Sequence, residues 1–129
     1  MHPAQRDVEQ MHRALGGLVG DFPAIRRPEL RVRLIREEAE ELIEAIEAGD
    51  LAGAVKEACD VLCVVYGTAV DFGVDLAPFW DAVHRSNMAK RGGPVRADGK
   101  HLKPPGWEPP PIAGLLADQV GRNRDAEAA

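Results

Sequence analysis

The sequence predicts an all-α protein, a four-helix bundle followed by a basic loop rich in proline and glycine. Apolar residues recur every three to four positions in four successive runs. Helix-capping residues and glycines separate these runs, and the connections between them are short. With 129 residues, 45% hydrophobic and 29% charged, the chain has the length and composition of one globular domain.

Two helices are predicted in the first third of the chain. The first covers residues 4–19 and precedes a turn segment with two prolines. Its apolar residues have helical spacing: Val8, Met11, Leu15 and Leu18. The second runs from Pro28 to Ala48, because proline suits the first position of a helix and Gly49 suits its end.

Two further helices are predicted between Asp50 and Gly93. The third begins with Asp50 as its N-cap and ends near Phe72, and its run VLCVVY predicts a fully buried helix. The fourth begins with Asp75 as its cap and continues to Gly92 and Gly93. Apolar residues recur at helical spacing within it: Leu76, Phe79, Trp80, Val83 and Met88.

The residues after Gly93 are predicted to form a loop, since six of the ten prolines fall in the next 18 positions. The apolar segment IAGLLADQV predicts one last short helix, and GRNRDAEAA has the low hydrophobicity of a frayed terminus. We therefore predict a single domain over residues 1–118 and a flexible tail over residues 119–129.

Charge and composition exclude several classes of partner. The chain carries 16 Lys and Arg against 21 Asp and Glu, a net charge of -5, so we expect it to bind neither nucleic acid nor a membrane surface. No apolar segment is long enough to cross a bilayer, and the first residues lack the apolar core of a secretory signal. We expect a cytoplasmic protein in which Cys59 and Cys63 are reduced core residues.

Acidic residues on the second helix form the first candidate site. Glu37, Glu38 and Glu41 lie within about 100° of one another around the helix axis. An acidic helix face is commonly only a solvated surface. Here, however, Glu37 is followed four residues later by Glu41, and Glu40 by Glu44, so like charges repel along the helix.

Two acids on the third helix complete this candidate site. Glu57 and Asp60 are three residues apart among core-like neighbours, so we expect them to face inward. Buried carboxylates need a base, a proton or a metal ion, and Lys56 points about 100° away from Glu57 and is not expected to serve both acids. If the two helices pack antiparallel, the five carboxylates form an all-oxygen cage suited to Mg²⁺, with Mn²⁺ as a substitute.

A basic segment follows the fourth helix. Residues 84–107 contain six Lys and Arg against one Asp, a net charge of +5. Basic residues also complement a helix end, but beside an acidic cage such a segment suits a polyphosphate whose charge the metal does not cover.

These motifs resemble the all-α NTP pyrophosphohydrolases, the superfamily that includes MazG, dimeric dUTPases and phosphoribosyl-ATP pyrophosphohydrolase. The shared pattern is Glu37-Glu38-x-x-Glu41, then 15 residues, then Glu57-x-x-Asp60. The stretch HRSNMAKRGGPVRADGKHLKPPGW is similar to that of MazG-like dUTP pyrophosphatases of the deinococcal type. The resemblance covers about residues 8–115 and implies Mg²⁺-dependent hydrolysis between the α and β phosphates, with dUTP as the favoured substrate.

The resemblance also implies roles for individual residues. The five carboxylates are the expected metal ligands. Glu38 is the expected general base on separate grounds, because Glu37 and Glu41 stack on the helix like paired ligands. Four residues are expected to hold phosphate or sugar groups: Asn87, Lys90, Lys100 and Lys103. Tyr66 is expected to form a wall of the pocket, and His12, Leu15 and Gly16 to form part of the base pocket.

Several alternatives stay open. A broad-range (d)NTP pyrophosphatase and a phosphoribosyl-ATP pyrophosphohydrolase share the acidic motifs, and a non-catalytic four-helix interaction module would leave the acidic face solvated. Zinc held by Cys59, Cys63 and a histidine is disfavoured, because a helical CxxxC lacks a paired set of ligands. The resemblance implies a homodimer or homotetramer, and exposed apolar residues such as Leu76 and Trp80 also need cover. Base specificity, the number of metals and the sharing of a site between subunits are left open.

Overall fold

The structure, a computed structural model, describes residues 1–129 and confirms the all-α class. It has five helices and no strand: α1 (Pro3–Ala14), α2 (Pro28–Glu47), α3 (Leu51–Phe72), α4 (Ala77–Met88) and α5 (Ile112–Ala128). None of these helices combines the length and apolar character needed to span a bilayer. The chain divides into two compact units, Met1–Asp75 and Leu76–Ala129, and the single domain over residues 1–118 stays a prediction.

Helices α2 and α3 form a hairpin whose ends are those expected from local signals. Pro28 occupies the first turn of α2, and Gly49 takes a positive φ of 68° directly after it. The Asp50 side chain accepts a hydrogen bond from the Gly53 amide at 2.9 Å and caps α3. Gly73, also at a φ of 68°, ends that helix. The short connection makes the two helices antiparallel.

Helix α1 is shorter than predicted. It ends at Ala14 because Gly16 adopts a φ of 71° and the Gly17 amide donates to the His12 carbonyl at 2.7 Å. The apolar spacing that continued to Leu18 therefore does not reflect helix. The following residues run back to the end of α3, where the Gly20 amide donates to the Val70 carbonyl at 2.9 Å.

A buried cluster of charges ties this first unit together. The carboxylate of Asp71 is fully buried and accepts two hydrogen bonds from Arg27 Nη2, at 2.8 and 2.7 Å, and one from Arg27 Nε. Arg31 lies 3.6 Å from the same carboxylate, and His12 Nδ1 lies 3.5 Å from it. Arg27 precedes α2 with a φ of 45°, unusual for a residue with a side chain, and these bonds hold it there.

The prediction that α3 is fully buried is wrong. Val55, Leu62 and Val65 are 58, 54 and 40% exposed. Within this unit α3 packs only against α1 and α2, so one of its sides has no helix beside it. The buried hydrophobic residues of the unit are Val8 on α1 and Ala69 and Val70 near the carboxyl end of α3.

The second unit consists of α4, a long loop and α5. Leu76, not Asp75, is the N-cap residue of α4, while the Asp75 carboxylate lies 3.4 Å from the amino terminus. The buried face of α4 is formed by Phe79 and Ala82, whereas Trp80, which shares the predicted apolar spacing, is 61% exposed.

The structure confirms the loop, with no helix or strand between α4 and α5, and the last helix is longer than predicted. Val95 and His101 form an isolated antiparallel bridge, the one β-type pairing in the chain. Helix α5 packs on α4 and continues to Ala128, through the residues predicted as a tail. Gln119 within it is buried.

Candidate functional site

Three carboxylates meet between α2 and α3. Glu38, Glu41 and Glu57 each offer one oxygen, and these oxygens lie within 4.8 Å of one another. The spacing of three residues places Glu38 and Glu41 on the side of α2 that faces α3, and the antiparallel hairpin places Glu57 opposite them. We call these three residues the carboxylate group.

The carboxylate group carries negative charge that the protein does not fully balance. Oε2 of Glu38 and Oε2 of Glu57 are buried and accept no hydrogen bond. Partial burial raises the pKa of Glu38 above its ordinary value, and the charges of Glu41, Asp60 and Glu57 raise it further. Buried acceptors without donors are costly unless a cation approaches them. Carboxylate oxygens alone, without His or Cys ligands, suit a hard divalent cation.

The structure places the other two predicted ligands differently. Glu37 is exposed and lies outside the carboxylate group, because one residue along a helix turns the side chain by about 100°. Asp60 lies close enough to raise the pKa of Glu38, but its own carboxylate is 2.5 Å from Lys56 Nζ.

The expectation that Lys56 cannot serve both acids of α3 is wrong. Its Nζ lies 2.5 Å from Asp60 and 3.4 Å from Glu57. A lysine side chain has four methylenes, so the direction of its Cβ does not fix where its ammonium lies. The two carboxylates raise the pKa of Lys56. This ammonium therefore offsets part of the negative charge of Glu57 and Asp60.

The thiol of Cys63 lies beside the acids Asp60 and Glu38, a position that the sequence did not predict. Partial burial raises the pKa of Cys63, and the charges of Asp60 and Glu38 raise it further. The position of Cys63, three residues after Asp60, is the local signal that could have placed it on this side of α3. Cys59, predicted to be a core residue, is exposed.

In the second unit, three of the four predicted phosphate-binding residues gather around Trp107. Lys90 Nζ donates to Asn87 Oδ1 at 3.0 Å and lies 5.6 Å from the centre of the indole ring. Lys103 Nζ lies 4.7 Å from the same ring. Lys100 instead belongs to a tight turn, where its carbonyl accepts from the Arg96 amide at 2.8 Å.

Comparison with known proteins identifies the family. The family model of phosphoribosyl-ATP pyrophosphohydrolase matches residues 8–87. The chain belongs to the phosphoribosyl-ATP pyrophosphohydrolase family. The match includes the whole carboxylate group and confirms the resemblance to the all-α NTP pyrophosphohydrolases. A search of curated proteins finds no match to the chain.

Membership in the phosphoribosyl-ATP pyrophosphohydrolase family makes the chain a pyrophosphohydrolase, of a family that is typically metal-dependent. The residues matched to the family end at Asn87, so Lys90, Lys100, Lys103 and Trp107 lie beyond them. The roles of these four residues in binding therefore depend on the geometry and chemistry of the second unit.

The residues expected to bind the base or to form the pocket wall lie on α1, directly after it, and on α3. His12 Nδ1 lies 2.9 Å from the Leu18 carbonyl and belongs to the buried Asp71 cluster. Leu15 is 78% exposed just after α1, beside Gly16, and Tyr66 is half-buried on α3. Their roles in nucleotide binding stay predictions.

Proposed function

We propose that this pyrophosphohydrolase uses Mg²⁺ to cleave a nucleoside triphosphate between its α and β phosphates, releasing a nucleoside monophosphate and pyrophosphate. The observation that supports the metal is the carboxylate group, whose three oxygens lie within 4.8 Å of one another. Two of its three residues, Glu38 and Glu57, also have a buried oxygen that accepts no hydrogen bond. Family membership supports the reaction type.

The residues of the hairpin fit a divalent cation. Glu38, Glu41 and Glu57 would hold it, and Asp60, now paired with Lys56, would be available as a further ligand. Glu37, one position before Glu38, stays a proposed outer member of the set. When bound, the cation supplies a Lewis acid for the phosphoryl oxygens and lowers the pKa of a water molecule. Mn²⁺, with similar preferences, should substitute.

Glu38 is the proposed general base. A carboxylate with a raised pKa holds a proton more strongly, which makes it a better acceptor for a proton from water near neutral pH. Its partial burial between the two helices also limits its movement.

The basic residues of the second unit are proposed to bind the phosphates or the sugar. Asn87, Lys90 and Lys103 gather at Trp107, and Lys100 lies in the turn between Arg96 and the bridge residue His101. Ammonium groups and a side-chain amide suit phosphate oxygens and sugar hydroxyls.

Two substrates are each favoured by one observation. The family match favours phosphoribosyl-ATP. The similarity of residues 84–107 to MazG-like dUTP pyrophosphatases of the deinococcal type favours dUTP. Both compounds carry the triphosphate that the proposed reaction requires, and phosphoribosyl-ATP carries a further phosphate on its second ribose.

The test is pyrophosphate release from a panel of nucleotides: phosphoribosyl-ATP, dUTP, UTP, dTTP, dCTP, dATP and dGTP. Each is assayed with Mg²⁺, Mn²⁺ and EDTA, using the wild type, Glu57→Gln and the matched control Glu44→Gln, an exposed glutamate on α2 outside the carboxylate group. Release from one compound identifies the substrate, and release from all identifies a broad-range enzyme. No release in any metal, together with no metal binding by calorimetry, contradicts the proposal and favours an interaction module.

We also propose that the chain works as a homo-oligomer, a dimer or a tetramer. Only five hydrophobic residues of the chain are buried. Val32, Ile43 and Ile46 on α2 are 50% or more exposed, and their spacing places them on one side of that helix. A second copy that packs on this side and on the exposed side of α3 would remove these residues from water.

Light scattering tests the assembly. The wild type should have two or four times the chain mass of 14.0 kDa. A charge in the exposed apolar side of α3, as in Leu62→Lys, should lower that mass, whereas Glu44→Gln should leave it unchanged. A wild-type mass of one chain contradicts an oligomer.

A further inference from the structure

Trp107 occupies a fixed position in the second unit. Its indole Nε1 donates to the Ser86 carbonyl at 2.6 Å, which anchors the ring to the last turn of α4. The side chain is half-buried. The ring is thus held at one edge by a backbone group, and its faces remain available for other contacts.

Two lysines from different parts of the unit use this ring. Lys90 follows the end of α4 and lies 5.6 Å from the ring centre, and Lys103 comes from the loop and lies 4.7 Å from it. Both distances are within the range of a cation–π attraction. Lys90 is held further by its bond to Asn87 at 3.0 Å. One aromatic side chain therefore brings together two ammonium groups that are 13 residues apart.

Such an arrangement has a consequence for anion binding. Lysine side chains have many rotamers, and ordering them opposes binding. Two like charges beside one ring also repel each other, and an anion with several charges relieves that repulsion. A cleft of about 480 Å³ opens beside Trp107, and its charged lining residues, Arg85 and Glu108, are opposite in sign. Lys90 and Lys103 therefore supply the net positive charge at this place.

We propose that Trp107 is a positioning residue that presents Lys90 and Lys103 as a pair to adjacent phosphates of the substrate. This inference rests on the proposed function, in which these lysines bind phosphate. Trp107 does not contact the reacting atoms in this proposal. It lowers the cost of ordering the two ammonium groups before the triphosphate arrives.

The first experiment separates binding from the chemical step. Trp107→Leu should raise KM about tenfold and leave kcat within twofold, because both lysines lose a contact of the strength of an exposed cation–π pair. Trp107→Phe keeps an aromatic face but loses the bond to Ser86, so KM should rise only about threefold. Trp80→Phe, which changes the exposed tryptophan of α4, is the control. An unchanged KM in Trp107→Leu, or a fall confined to kcat, overturns the proposal.

The second experiment needs no enzyme activity. In the Trp80→Phe background Trp107 is the single tryptophan, since the chain has two. Inorganic tripolyphosphate, added in EDTA, should change its fluorescence, because the phosphate oxygens pair with the two ammonium groups beside the ring. Lys90→Ala and Lys103→Ala should each weaken this binding about tenfold or more. No fluorescence change in the parent protein overturns the proposal.

The two experiments distinguish the failure of this inference from failure of the proposed function. If no nucleotide is hydrolysed but tripolyphosphate changes the fluorescence and Lys90→Ala removes the change, the lysine pair stands and the proposed reaction fails. If nucleotides are hydrolysed with a KM that Trp107→Leu does not alter, the reaction stands and the positioning role fails.

Discussion

Replacing Glu57 with glutamine should have opposite effects on stability with and without metal. Glu57 supplies one oxygen of the carboxylate group, and its Oε2 is buried without a hydrogen-bond partner. In EDTA, Glu57→Gln removes a negative charge from the group and adds an amide that can donate to a neighbouring carboxylate. The Tm should therefore equal or exceed that of the wild type. In Mg²⁺ the substitution removes a ligand, so the Tm should fall below the wild-type value.

The size of the metal effect follows from binding linkage. A cation present at about 100 times its Kd stabilises a folded protein by about 2.7 kcal/mol. Substituting a residue that hydrogen-bonds to a metal ligand weakens metal affinity by about 10- to 100-fold. Loss of a ligand itself should therefore raise the Kd of the metal by about 100-fold. The stabilisation then falls to about 0.4 kcal/mol at the same metal concentration. At about 4 °C per kcal/mol, Mg²⁺ should raise the wild-type Tm by about 10 °C and that of Glu57→Gln by about 2 °C.

Thermal unfolding followed by circular dichroism, in EDTA and over a series of Mg²⁺ concentrations, measures both effects. Glu44→Gln is the matched control, because it makes the same chemical change on an exposed position of α2 outside the carboxylate group. Its Tm should rise with Mg²⁺ as in the wild type. An equal rise in Glu57→Gln would show that the carboxylate group does not hold the metal. In EDTA, a Tm of Glu57→Gln below that of the wild type would show that the carboxylate group does not destabilise the metal-free fold.

Three further substitutions test the charges around the hairpin. Lys56→Met removes an ammonium that competes with a cation for Asp60, so calorimetry should give a Kd for Mn²⁺ about threefold lower, and an unchanged Kd would refute the competition. Asp71→Asn removes the charged partner of two arginines, so urea unfolding should show a free energy of unfolding about 3 kcal/mol lower than in the wild type. Asp21→Asn, at an exposed position, should change it little. An equally small change in both variants would contradict a stabilising role of the buried cluster. The raised pKa of Glu38 means that the folded chain binds a proton more tightly than the unfolded chain. This contribution to stability is present below the ordinary value of 4.5 and is lost as pH rises through the folded pKa. In EDTA, Glu38→Gln should remove that pH dependence of Tm. In the wild type, the rise in Tm that Mg²⁺ causes should become smaller as pH falls through the same range. A rise in Tm that does not depend on pH would contradict a role of Glu38 in holding the metal.

The ends of α2 and α3 were predictable because the signals that set them are local. Pro28, Gly49, Asp50 and Gly73 each act within a few residues of their own position, and the structure places them as expected. The end of α1 was not predictable from apolar spacing, since Leu18 continues the pattern although the backbone has already turned at Gly16. Apolar spacing reports which side chains could share a face, and a glycine at positive φ overrides it.

The carboxylate group was largely predictable for the same reason. The spacing within each helix is fixed by helix geometry, and a short connection allows one main way of folding the hairpin. The position of Lys56 was not predictable, because a flexible side chain settles on the charges around it. The Asp71 cluster depends on residues 20–27 returning to the end of α3, a contact between segments about 45 residues apart that no local pattern encodes.

Two clusters of charged residues along α3 differ in how their charge is balanced: the buried cluster at Asp71 and the carboxylate group. At its carboxyl end, fully buried Asp71 has two arginines as partners, Arg27 and Arg31, so its charge is compensated within the protein. Arg31 also donates to Thr68 and to the Val64 carbonyl, at 3.1 Å, both earlier on α3 than Asp71. These bonds fix α2 against α3. On α3, Asp60 lies about one turn and Glu57 about two turns before Val64. There the carboxylate group and Asp60 have only the exposed Lys56 as an ion-pair partner. Repulsion there would push the helices apart, and the compensated cluster holds them together. The hairpin can therefore keep its acidic site open to a divalent cation because a different part of the same two helices supplies the stability.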